Sequence, residues 1–89
     1  MAGFLTSGQT SVGTTPVEIS VKSNNPVVLH IHNDDNTTDC YLGPQDVTIT
    51  TGLKLSKLDS LELTLHQANT IWVVSSKNNH IVSWFAQAL

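Results

Sequence analysis

The chain reads as an all-β protein: a small antiparallel β-sandwich or jelly-roll-like barrel with an extended N-terminal arm. Three observations carry this reading. Apolar and polar residues alternate with period two over residues 17–21, 27–32 and 61–66, the pattern of strands with one buried face. Clusters of Asn, Asp, Ser, Gly and Pro interrupt the chain about every eight to twelve residues, the rhythm of short strands in sandwiches and barrels. No segment holds a helical apolar period; Leu61, Leu63 and Leu65 recur at every second residue, which a strand requires and a helix does not.

The arm covers residues 1–13. Gly3, Gly8 and Gly13 break any period there, and Ser and Thr fill the gaps. Phe4 and Leu5 form an apolar pair that needs a cover, either on the same domain or on a neighbouring subunit. Removing residues 1–10 is expected to leave the β core folded. Residues 14–89 form a single sandwich domain. Pro16 stands at the start of its first strand, where a missing N–H does least harm. Val17, Ile19 and Val21 point one way, and Glu18, Ser20 and Lys22 the other. After a turn at residues 23–26, Val27, Leu29 and Ile31 face the core, while Val28, His30 and His32 share the opposite face.

Residues 33–36 are dense in side chains that bond their own backbone, and they read as a solvated hairpin loop. The chain returns over residues 38–42 with Cys40 and Leu42 inward and Tyr41 outward. Gly43-Pro44 ends pairing. Residues 47–51 are β-prone, and Gly52 permits a kink with positive φ or a close backbone approach. Leu53 and Leu55 open another strand, residues 57–60 turn, and Leu61, Leu63 and Leu65 alternate with Glu62, Thr64 and His66. A turn at residues 67–69 precedes the last two strands, over residues 70–75 and 80–88, joined by a hairpin turn at 76–79. Both are apolar on two faces: Ile71 and Val73 against Trp72 and Val74, then Ile81 and Phe85 against Val82, Trp84 and Ala86. One face packs the sandwich and the other needs a cover. Either Trp72 and Trp84 share the core of this domain or they meet another subunit, where tryptophans concentrate at interface centres.

With 89 residues the chain makes one domain and buries only roughly 60–65% of its unfolded surface, a size at which oligomerisation is a common remedy. The net charge is −3, with 12% charged residues, four scattered lysines (Lys22, Lys54, Lys57, Lys77) and no arginine. That pattern offers no footprint for nucleic acid or an anionic membrane. No apolar run is long enough to span a bilayer. The stretch Met1-Ala2-Gly3-Phe4-Leu5 lacks the basic and apolar regions of a secretory signal. The single cysteine, Cys40, excludes an intrachain disulfide and reads as a small buried apolar residue, with an intersubunit bridge or reactive thiol as the other option.

Three groups of residues have side chains of types that can carry chemistry. His30 and His32 sit on one strand face about 6–7 Å apart. With His66 and His80 they have the residue types of a three-histidine metal site, but the carboxylate and spacing of jelly-roll metal enzymes are missing. Solvated or interface histidines fit better, and a metal on a symmetry axis is the variant an oligomer permits. Residues 33–39 are oxygen-rich but lack the spacing, glycine and closing glutamate of a calcium loop. Ser, His and Asp are all present, which means nothing without geometry, and no glycine-rich loop leads into a helix. No catalytic, cofactor-binding or metal residue is assigned, and no enzyme is expected.

The segment Tyr41-Leu42-Gly43-Pro44-Gln45-Asp46-Val47-Thr48-Ile49-Thr50-Thr51-Gly52-Leu53-Lys54-Leu55 resembles a pattern, roughly Tyr-Leu-Gly-Gly-x-Asp-Val-Thr-x-x-x-Gly-x-x-Leu, of small β-rich structural proteins of tailed bacteriophages. The similar frame covers residues 16–88, and the Tyr-Leu-Gly and Asp-Val-Thr portions are its distinctive parts. Pro44 stands where the pattern has a second glycine. The resemblance implies a minor capsid protein, also called a decoration or cement protein. Such a protein is made in the bacterial cytoplasm, binds the outer surface of the assembled capsid and stabilises it. Its partners would be the major capsid protein and further copies of itself, a trimer first and a dimer second. The residues offered for those contacts are Phe4, Leu5, Tyr41, Trp72, Trp84 and Phe85. Two other readings stand beside it: a tail-tip or fibre component that binds a host receptor or glycan, and a jelly-roll metal enzyme built on His30 and His32.

Overall fold

The structure, a computed structural model, describes residues 5–19, 21, 26–66 and 70–88. Among these residues there is no helix, and hence none long and apolar enough to cross a membrane. The strands are β1 (Leu5–Val12), β2 (Val17–Ile19), β3 (Val27–Asn33), β4 (Cys40–Gly43), β5 (Leu53–Leu55), β6 (Ser60–Leu65), β7 (Ile71–Ser75) and β8 (His80–Ala88).

Their pairing is nested. β1 pairs with β8, β2 with β7, β3 with β6 and β4 with β5, all antiparallel. Two further pairings, β3 with β8 and β4 with β7, divide the strands between the sheets β1-β8-β3-β6 and β2-β7-β4-β5. A long hairpin rolled up in this way is the jelly-roll arrangement. The all-β reading of the sequence therefore stands, in its jelly-roll form.

The alternation seen in the sequence sets the inward faces. Val27, Leu29 and Ile31 of β3 enter one apolar cluster with Val12, Ile19, Cys40, Leu42, Leu55, Val73, Val82 and Ala86. Each large aliphatic side chain buried there contributes about 1.5–3 kcal/mol. Cys40 is fully buried. Burial first, and the neighbouring Asp39 charge second, push its thiol up to about 12, so it packs as a hydrophobe.

Four expectations change. First, Leu5–Val12 is extended but is not an arm. It pairs along its whole length with β8, from Leu5↔Gln87 to Val12↔His80, so the sandwich begins at Leu5 and not at residue 14. The alternation of exposed and covered residues along β1 was hidden in the sequence, because its polar members are Ser, Thr and Gln on both faces.

Second, residues 47–51 form turns rather than a strand. Thr48 accepts the Thr51 and Gly52 N–H groups at its carbonyl, and its Oγ1 accepts from Thr50 and Thr51 N–H. Threonine hydroxyls thus bond the local backbone in place of a sheet ladder.

Third, the polar segments at 34–39 and 76–79 are not hairpin loops. β3 and β4 lie in different sheets, as do β7 and β8. Of the consecutive strands, only β4 and β5 are sheet neighbours.

Fourth, the two options at Gly52 narrow to one: it serves the close approach, and positive φ occurs at Leu58 (57°) and Asn79 (59°).

Candidate functional site

Three features of the molecule bring chemistry-bearing side chains together. The first is interior. His80 and Asn33 are fully buried and Ser75 nearly so. The Asn33 amide donates to the carbonyls of Thr38 and Leu55, both at 3.1 Å, and of Ser56 at 3.3 Å. Its oxygen is therefore turned to the Asp35 N–H and to His80 Nε2, which donates at 2.7 Å. His80 Nδ1 must then accept, and it does so from the Ser75 hydroxyl at 2.8 Å; Ser75 Oγ in turn accepts the Lys77 N–H. Burial, the largest influence, pushes the His80 pKa down, in keeping with a neutral ring. The order serine–histidine–amide is that of a nucleophilic triad, but no substrate can reach a serine sealed in the core. The network ties β3 and β8 of one sheet to β5 and β7 of the other. No buried polar side-chain atom lacks a partner among the described residues.

The second feature covers part of the outer face of β2-β7-β4-β5 and leaves a cleft of about 480 Å³ between Pro16, Val74 and residues 45–49. The connection from β4 to β5 folds back so that Val47 is buried against the backbone at Gly43 and Gly52. A Cβ on Gly43 would lie 2.7 Å from Val47 Cγ2, and one on Gly52 would lie 2.8 Å from it and 2.7 Å from Tyr41 Cβ. The Gly-x-x-x-Val-x-x-x-x-Gly spacing is thus a packing device, and Val74 beside it on the outer face of β7 is buried as well. Tyr41 and Trp72 border this flap and are half-buried; the Trp72 indole donates to Thr70 Oγ1 at 3.3 Å.

The third feature is the open outer face of β1-β8-β3-β6. Cross-strand register sets Ser7, Phe85, His30 and Glu62 in one row, and Gln9, Ser83, His32 and Ser60 in the next. All but Glu62 line a groove of about 510 Å³. His30 stacks on Phe85 with ring centres 4.2 Å apart and lies 3.5 Å from the Glu62 carboxylate. Phe85 (39% exposed), Ile81 (38%) and Leu5 (69%) leave apolar surface facing solvent.

At the groove rim, Ser83 donates to one oxygen of Asp34 while His32 meets the other. Burial pushes the Asp34 pKa up, but these two hydrogen bonds and the His32 charge outweigh it and hold it below the ordinary carboxylate value. The imidazole does not stand between hydroxyl and carboxylate, so a relay that would activate Ser83 is not formed.

The four histidines are not assembled. His30 and His32 lie on the outer face and His80 in the core, while His66 is exposed beyond the end of β6. No metal-ligating cluster of three occurs among the described residues. The oxygens of residues 33–39 are occupied by their own loop: Asp35 Oδ1 accepts from Thr37 N–H, Thr37 Oγ1 and Thr38 N–H, and Oδ2 meets Lys77 Nζ at 2.5 Å. The Lys77 contact is the main cause of an Asp35 pKa held well below the usual range.

Of the contact residues read from the sequence, Leu5 and Phe85 lie on the open face, and Tyr41 and Trp72 on the flap-covered one. Phe4 lies outside the described residues. Trp84, left open between core and interface, is partly buried against the core and also lines the groove. It shares its inward direction with Val82 and Ala86, packs against the core, and donates to Thr10 Oγ1 at 3.3 Å. Ile81 was not singled out in the sequence, and the stacking of His30 on Phe85 of the same face was not foreseen. Their alternation with Val82 and Ile31 was the available signal.

No protein-family model, curated protein or solved structure matches the chain. The jelly-roll assignment therefore rests on the strand order and pairing.

Proposed function

We propose that this chain is a non-enzymatic virion component: a decoration protein that binds the outer surface of an assembled bacteriophage capsid and stabilises it. The observation that carries this reading is the outer face of β1-β8-β3-β6, where Phe85 is exposed beside a groove of about 510 Å³ and Ile81 and Leu5 are exposed on the same face, a surface suited to docking on another protein. The Val47 flap covers part of the other outer face and leaves a cleft of about 480 Å³ beside it. The resemblance of residues 41–55 supports it, and their role in packing fits a scaffold motif rather than a catalytic one. A protein that binds only the assembled shell stabilises it by linkage, since dissociation of the shell must also release the bound copies. In this reading the major capsid protein is the partner, and the protein acts as a homo-oligomer.

A tail-tip or fibre component that binds a receptor or glycan is favoured by one observation, the hydroxyl-rich groove beside Phe85. Two experiments separate the readings. Immunogold labelling of virions of the encoding phage is expected to place label over heads; label confined to tails selects the second reading. Purified protein is expected to co-sediment with expanded capsids, and Phe85→Ser to lose that binding while remaining folded. Failure of the wild-type protein to co-sediment would remove the decoration role.

A further inference from the structure

We propose that β1 is a self-association edge: two copies pair their β1 strands antiparallel about a two-fold axis at Gly8, joining two four-stranded sheets into one of eight. This deepens the homo-oligomer part of the proposed function by naming the interface, and it predicts a dimer rather than the trimer that the resemblance puts first.

The argument begins with the edges. Each sheet ends in two strands that leave one row of backbone N–H and C=O groups unpaired, and proteins guard such rows with shortness, charge, proline or bulges. β2 has three residues, carries Glu18 and follows Pro16; β5 has three and carries Lys54; β6 carries Glu62. β1 is eight residues long, Leu-Thr-Ser-Gly-Gln-Thr-Ser-Val, with no charge and no proline. Its register with β8 advances without a bulge from Leu5 to Val12. Among the described residues nothing pairs with its outer side. Trp84 braces the strand from within, its ring 3.0 Å from where a Gly8 Cβ would stand.

The side chains then select a second copy as the occupant. In an antiparallel pair, opposite residues must share a face. A two-fold axis at Gly8 satisfies this, setting Leu5 opposite Ser11 and Ser7 opposite Gln9 of the other copy. Within one copy, Ser11 is paired with Ile81. The exposed Leu5 of each copy therefore reaches over the small Ser11 toward the exposed Ile81 of the other, at both ends of the seam. Leu5 and Ile81 stand at opposite ends of one β1–β8 ribbon, which is what a self-complementary two-fold contact needs. The strand holds no charge to oppose its own copy.

The test is the mass of the purified full-length chain by light scattering over a concentration series. The wild-type protein is expected at twice 9.6 kDa. Leu5→Lys/Ser11→Lys puts like charges directly opposite at both ends and is expected to weaken association about tenfold or more. Leu5→Lys/Ser11→Glu puts opposite charges there and is expected to associate at least tenfold more tightly than the Lys/Lys variant. The substituted sites of one chain are too far apart to meet each other, so the difference between the two variants reads the register. Trp84 fluorescence reports that β1 remains docked in each. A monomeric or trimeric wild type, a dimer indifferent to the like charges, or a Lys/Glu variant as weak as Lys/Lys would overturn the proposal. Because the isolated protein is measured, this result is independent of whether it binds capsids.

Discussion

His80 donates from Nε2 to Asn33 Oδ1 across 2.7 Å in the sealed interior, and that one bond sets the protonation of the ring and the orientation of the amide together. The Asn33 NH₂ faces three carbonyls, so the imidazole must bring the proton. Asn33→Ala is expected to destabilise the fold by about 3 kcal/mol or more, since it strands a ring N–H and several backbone groups without partners. The urea midpoint measures this. A loss below about 1 kcal/mol would show that the network is not needed.

Stability should also fall on mild acidification. The folded pKa of His80 is depressed, while the unfolded chain takes up the proton near pH 6.5. Below that value the unfolded state binds more protons, so this stability is fully present above about pH 6.5 and drops as pH falls from there toward the folded pKa. The melting temperature of the wild-type protein should decline from pH 7.5 to pH 5, and His80→Gln should flatten that decline. Asp34, with its lowered pKa, acts in a separate window: its contribution is present above the ordinary carboxylate value and lost as pH falls below it.

Gly43→Ala should push its methyl into Val47 Cγ2, 2.7 Å away, and destabilise by about 1–3 kcal/mol. Val47→Ala should relieve most of that loss. It should not rescue Gly52→Ala, whose methyl also meets Tyr41 Cβ at 2.7 Å and the Leu42 carbonyl at 3.2 Å. A double-mutant cycle on each pair measures the difference.

Leu58 holds φ at 57°, a conformation that costs a side chain with a Cβ about 1–2 kcal/mol. Its side chain is largely exposed, so Leu58→Gly removes strain with little loss of packing. The substitution is expected to raise stability by about 1 kcal/mol. An unchanged or lower denaturation midpoint would mean that the side chain holds the turn.

Deleting residues 1–10 should unfold the protein rather than spare it. The cut removes most of β1, strips β8 of its partner from Val82 to Gln87, and uncovers Trp84. Circular dichroism and tryptophan fluorescence are expected to show loss of the native state. A folded truncated protein would mean that β1 is dispensable.

The sequence by itself determined the strands and their inward faces wherever large apolar residues alternate with polar ones. Val27, Leu29 and Ile31 went inward because period two leaves a strand one way to bury its apolar side, and a one-residue slip would expose them all. It also determined that Cys40 packs as a hydrophobe and that Gly52 marks a close approach. Only the tertiary structure decided which strands meet. Residues 33–36 and 76–79 have the composition of hairpin loops, yet each carries the chain to the opposite sheet, because local turn chemistry is the same whether the next strand pairs beside the last or across the core. The same limit hid β1, whose Ser, Thr and Gln mark no inward side until β8 supplies one. It also hid Val47, whose burial depends on the flap closing over Gly43 and Gly52. Trp84 and Phe85 were indistinguishable as neighbours on a two-sided strand; one braces β1 from within and the other faces the groove. Asn33 read as part of a polar turn, and Ser75 and His80 as strand ends with no inward role. Their network exists because rolling the chain brings residues 33, 75 and 80 to one end of the sandwich, a long-range juxtaposition that no local pattern encodes.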